Sequence, residues 1–147
     1  MKRLVLIVVA VVAFLAVSVI VGRWLSADTD ERGQVVELLR AQSRGDANAM
    51  LAHLKCRDPA CVATVRADAR RLRRPGDVQI ALYVSKTAHA LRSRTNTTRV
   101  VWFLKGREAN TIVQCVRVRR TGNVFAGLSV SLLRLSAPLA DREGSCP

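Results

Sequence analysis

The chain predicts an α+β domain carried on an N-terminal transmembrane helix, with about three helices packed on a curved antiparallel β-sheet. Three observations lead there. Leu4 to Gly22 is nineteen residues without a charge. Residues from about Thr29 to Leu72 repeat their apolar positions at helical spacing, between capping signals. From Val78 onward the period changes to two, in segments separated by polar turns.

The apolar run comes first. As a helix it rises 1.5 Å per residue and reaches roughly 28 Å, close to the ~30 Å hydrocarbon core of a bilayer. Fourteen of its residues are Leu, Ile, Val or Phe. Ten are β-branched, which weakens a helix in water, but in lipid the backbone has no partner except itself. The alternative is a cleaved signal: Lys2 and Arg3 form a basic start, and Ala16-Val17-Ser18 offers a small-residue site after Ser18. The run nevertheless continues apolar through Val19, Ile20 and Val21. The expectation is an uncleaved, single-pass anchor in the cell membrane, with the lipid bilayer as partner through residues 4–22. Lys and Arg counts on the two flanks nearly tie. The short N-terminal tail and four cysteines, an even number suited to an oxidising compartment, place the N-terminus inside and the domain outside. The organisation expected is a cytoplasmic tail at 1–3, the span at 4–23, a linker at 24–30, the extracytoplasmic domain at 31–137, and a tail at 138–147 tied by Cys146.

Charge narrows the partners. Lys plus Arg is 24 against 11 for Asp plus Glu, a net charge of +13. Without Lys2, Arg3 and Arg23 the outer part still carries +10. Aromatic residues are only 4%, so a base-stacking surface is hard to build, and nucleic acid is not the expected partner.

Along the domain, Ser26 to Asp30 reads as a polar joint, and Asp28-x-x-Glu31 has capping-box spacing for a helix opening near Thr29. That helix falters at Arg44-Gly45. Asp46 caps a second stretch carrying Met50, Leu51 and Leu54. Asp58-Pro59 opens a third, running to about Leu72. Val78, Ile80, Leu82 and Val84 then alternate with polar or small residues as a half-buried strand, which Thr87 to Leu91 either continue or follow with a second. Ser93 to Thr98 reads as a turn, Arg99 to Lys105 and Thr111 to Arg120 as strands, Thr121-Gly122-Asn123 as a tight turn, and Val124 to Leu135 as the returning strand.

This order resembles the nuclear transport factor 2-like, or cystatin-like cone, superfamily. The likeness rests on Val35 to Leu54 (VVELLRAQSRGDANAMLAHL), with Ala41, Gly45 and Asp46 placed as in that family's first helix-turn, and on the long strands from Val100 to Leu135. It covers about Thr29 to Leu135. Members that act on small molecules carry Tyr, Asp and His groups in the cone. Here there are one Tyr, Tyr83, and two His, His53 and His89, and no catalytic residue carries over. The plan of one span and an outside domain looks like scaffold subunits of bacterial secretion and transport machines.

Two local constellations stand out. The cysteines favour disulfides Cys56–Cys61 and Cys115–Cys146. A metal site at His53, Cys56 and Cys61 is the alternative, but it lacks a paired C-x-x-C and a fourth ligand. The third helix places Arg66, Arg70, Arg73 and Arg74 within about 100° of one another, beside an apolar side. This is either a solvated face or a patch for an anionic surface. Arg92, Arg94 and Arg99, and separately Arg117, Arg119 and Arg120, would widen it. Asn96-Thr97-Thr98 matches a glycosylation sequon, a common chance triplet. The expected function is a non-catalytic accessory or scaffold module of the envelope, with no metal or cofactor. It would present the basic helix and the sheet face to a protein partner or an anionic surface. The alternative is a cone-shaped small-molecule-binding or enzymatic domain, favoured if Tyr83, His89 and an acid met in one pocket.

Overall fold

A computed structural model describes residues 2–85, 94–123, 127–140 and Cys146. Helix α1 (Lys2–Arg44) is 43 residues long. Its Val5–Gly22 segment is long and apolar enough to cross a membrane, and none of it is buried against the rest of the protein. The break expected at residues 24–30 is absent: the backbone stays helical from the apolar run into the domain. The physical reason is that no proline interrupts the segment. Polar residues do not by themselves end a helix when nothing competes for its backbone hydrogen bonds. Glu31 therefore lies mid-helix and not in a capping box.

From Glu31 onward α1 has a buried stripe: Glu31, Val35, Leu38, Leu39 and Gln42. These recur at the three- and four-residue spacing of one helix face. The helix ends in a Schellman motif. Gly45 takes a φ of 78°, its N–H donates to Gln42 O at 2.9 Å, and the Asp46 N–H donates to Ala41 O at 3.0 Å. Asp46 then caps α2 (Ala47–His53), accepting from the Ala49 N–H at 2.9 Å. Asp58 caps α3 (Pro59–Arg71), accepting from the Cys61 N–H at 2.7 Å, with Pro59 in the first turn. The cap signals thus opened both short helices where the sequence placed them.

Four strands follow: β1 (Val78–Ser85), β2 (Arg94–Leu104), β3 (Ile112–Asn123) and β4 (Gly127–Leu135). They form one antiparallel sheet in the order β1-β2-β3-β4. Two boundaries differ from the sequence reading. Residues 94–98 are strand and not turn, because Thr95, Thr97 and Thr98 pair with Arg119, Arg117 and Val116. β-Branched threonines suit that extended backbone. Residues 121–123 also remain strand, paired with 127–129. Thr87 to Leu91, His89 and Arg92 lie outside the described residues.

The helices cover one face only. Val35, Leu38, Leu39, Met50, Val65, Val100, Trp102, Val116, Val118, Leu132 and Leu135 form the core between that face and the helices. The buried Trp102 Nε1–H donates to Gln114 Oε1 at 2.9 Å, and Gln114 Nε2 donates to Ser136 O at 3.0 Å, so the indole is not left unpaired. After β4 the chain stays beside β3: Ser136 and Leu139 donate to the carbonyls of Cys115 and Val113. Disulfides join Cys56 to Cys61 and Cys115 to Cys146, the pairing favoured from the sequence.

Candidate functional site

Alternation along β3 decides which arginines work where. Gln114, Val116, Val118 and Arg120 share the face turned to α1, while Cys115, Arg117 and Arg119 share the other. Arg120 is therefore turned inward. Its Nε and Nη2 reach Glu31 Oε2 at 2.8 and 2.6 Å. The other carboxylate oxygen of Glu31 accepts from Tyr83 at 2.7 Å, Thr98 at 2.9 Å and Ser85 at 3.2 Å. Glu31 has no exposed surface. Burial, followed by the hydrogen bond to Glu31, holds the Tyr83 phenol far above its ordinary range. The phenol keeps its proton, and both carboxylate oxygens of Glu31 are engaged in hydrogen bonds. Tyr83 meets an acid, Glu31, in a partly buried polar cluster that lines neither described cavity, and His89, the third member of the pocket required by the enzymatic alternative, lies outside the described residues.

The opposite face is bare of helices. The four strands carry six arginines and no Asp or Glu. Register arranges the outward side chains in rows. Thr97, Arg117 and Arg134 are directly opposite one another across β2, β3 and β4. Thr95, Arg119 and Ser131 form the next row, and Val84, Arg99 and Cys115 the row on the other side. On the same face, Leu82 and Val84 are 48% and 41% exposed. A shift in the β3–β4 register between Arg117 and Val118 leaves Leu133 as an extra residue and brings Arg134 to the outer face.

An open cleft of about 490 Å³ reaches from this face to α3, lined by Thr64, Thr97, Cys115, Arg117, Arg134, Leu135, Ser136 and Ala137. Among the described residues, no carboxylate pairs with Arg117 or Arg134. The Ser136 hydroxyl is used, accepting from the Cys115 N–H and donating to Ala137 O. Thr64 donates to Ala60 O but keeps acceptor capacity. Arg119 is held by Thr95 at 3.4 Å.

The other sequence candidates scatter. Arg66 and Arg70 are exposed on α3, but α3 stops at Arg71 with Leu72 as its cap. Arg73 and Arg74 therefore do not follow the helical wheel. The Arg73 stem lies over Gly45, and Arg74 lines a small crevice with Trp102, Leu104 and Arg107. The four do not form one helical face. Cys56 and Cys61 are bonded to each other and have no thiolate to give a metal, which removes the site imagined with half-buried His53. Asn96 Nδ2, where a glycan would attach, is buried. The Arg117–Arg134 row escaped the sequence reading, although Arg117 and Arg119 showed the period-two spacing; Arg134 joins them only through the register shift.

Compared with protein-family models, with curated proteins and with solved structures, the chain matches none.

Proposed function

We propose that this chain is a membrane-anchored, extracytoplasmic, non-catalytic module of the cell envelope that works through its bare sheet face, binding an anionic partner. The observation that carries the reading is the charge of the face turned away from the core: Arg99, Arg117, Arg119 and Arg134 share it, and the strands hold no Asp or Glu. Glu31 neutralises Arg120 inside, which leaves the outward row to act on what approaches. Two disulfides and the apolar helix support the placement outside the membrane, N-terminus inside. The helices-then-meander order supports keeping the nuclear transport factor 2-like superfamily as the proposed kinship, in a scaffold role. A catalytic cone is the weaker reading, because its one Tyr–acid pair is spent on packing.

The test is a pair of C-terminal fusions in the native membrane, one to alkaline phosphatase and one to green fluorescent protein, with alkaline carbonate extraction of the unfused chain. An active phosphatase, a dark fluorescent protein and a chain retained in the membrane pellet with its N-terminal peptide intact are expected. A bright fluorescent fusion, or a chain released without residues 2–18, would overturn the anchored outside placement.

A further inference from the structure

The cleft on the outer sheet face has more definition than a diffuse positive field. Arg117 and Arg134 are direct cross-strand neighbours. Like charges so placed repel, and the sheet offers no carboxylate to relieve them. Thr97 completes the row from the other side, and its hydroxyl makes no hydrogen bond among the described residues. Two forked guanidinium donors and one hydroxyl thus converge on a cleft whose volume, about 490 Å³, is that of a small-ligand site. The floor adds apolar contact from Leu135, Ala137 and the bonded Cys115, with Thr64 contributed by α3.

We infer that this cleft binds a phosphoryl group through Arg117, Arg134 and Thr97. The inference deepens the reading of the sheet face as the working surface and does not depend on the anchor. Charge selects the ligand class. A phosphate monoester carries about −1.5 to −2 near neutral pH and matches two arginines, whereas a carboxylate leaves one uncompensated. Its three terminal oxygens accept two bidentate forks and a hydroxyl at once. The apolar floor suits an ester with a hydrocarbon part. Such a group comes either from a soluble phosphate ester or from a lipid headgroup.

The experiment uses the full-length chain in maltoside micelles, which contain no phosphate. Inorganic phosphate, glycerol phosphate and acetate are titrated by calorimetry into the wild type, Arg117→Gln, Arg134→Gln and the α3 control Arg66→Gln/Arg70→Gln. Saturable phosphate binding is expected, weakened about tenfold by each cleft variant and unchanged in the control. Arg117 and Arg134 are exposed, and unchanged circular dichroism confirms that the variants fold. Asp141→Asn/Glu143→Gln, which removes the acids of the tail leading to Cys146, binds at least as tightly. Doping the micelles with phosphatidic acid separates the sources: competition through the same two arginines assigns a lipid headgroup, and its absence assigns a soluble ester. No saturable phosphate binding, equal affinity for acetate, or binding indifferent to both cleft variants would overturn the inference.

Discussion

Two buried carboxylates have opposite surroundings. Glu31 has a guanidinium and three hydroxyls, so its charge is satisfied where it sits. Asp68 is also buried, but its Oδ2 has no hydrogen-bond partner. Burial pushes its carboxyl up to about 6 from 3.8, with Arg71 pulling the other way. Between those values the folded chain holds a proton that the unfolded chain has released. Stability from this group is therefore greatest below about pH 4 and falls as pH rises to about 6. Asp68→Asn removes that loss. Thermal unfolding of the full-length variant is expected to show a gain of about 1 to 3 kcal/mol at pH 7.5 and little change at pH 4. A destabilised variant at pH 7.5 would mean that Asp68 is paired there.

Neither carboxylate's role was legible in the sequence. Glu31 sits three residues after an Asp, as a capping residue does, while its partners Tyr83 and Arg120 are 52 and 89 residues away. Local spacing cannot register contacts that only the folded sheet creates.

At the scale of elements, what was legible is what local chemistry fixes. Asp46 and Asp58 start helices because a side-chain oxygen accepts an N–H that would otherwise be orphaned, a relation contained within four residues. The alternation of β3 and the switch of period after Gly76 are equally local. Residues 94–98 and 121–123 read as turns because polar threonines and a Gly-Asn pair look like turns until a neighbouring strand pairs them. The disulfides belong to this scale as well. Cys56–Cys61 closes a loop between α2 and α3, while Cys115–Cys146 ties the tail to β3 with a sequence separation of 31. In the chain-entropy model the longer loop contributes about 3.5 kcal/mol and the shorter about 2. Cys115→Ser/Cys146→Ser should therefore lower stability more than Cys56→Ser/Cys61→Ser, by about 1 to 2 kcal/mol in denaturant titrations of the full-length chain. The reverse order would mean that the Cys56–Cys61 loop positions the α2–α3 junction and does more than close a short circuit.

For the whole molecule, the decisive feature is that one helix runs unbroken from the apolar segment into the domain core. Residues 5–22 of α1 have the composition of a bilayer span, and Glu31 to Gln42 are built into the domain core. Glu31 lies nine positions after Gly22, about 13 Å along the helix. A flexible linker would let the domain sample many orientations relative to the apolar segment; an unbroken helix ties the two together, and under the proposed anchoring it would fix the height and direction of the sheet face. The sequence suggested the first arrangement, because polar residues at 26–30 look like a joint, and the helical backbone there gives the second. Ala27→Pro tests the consequence. Proline removes a backbone donor and clashes with the preceding turn, kinking the helix at a cost of about 3 kcal/mol in its interior. The buried stripe begins only at Glu31, so the melting temperature of the domain should change little. Its orientation should change markedly. Time-resolved energy transfer from a dye at exposed position 105, in the turn after β2, to acceptor lipids in nanodiscs reads this directly. A narrow distance distribution is expected for the wild type and a broad or shifted one for Ala27→Pro. Identical narrow distributions would mean that surface contacts, and not the continuous helix, hold the sheet face in position above the membrane.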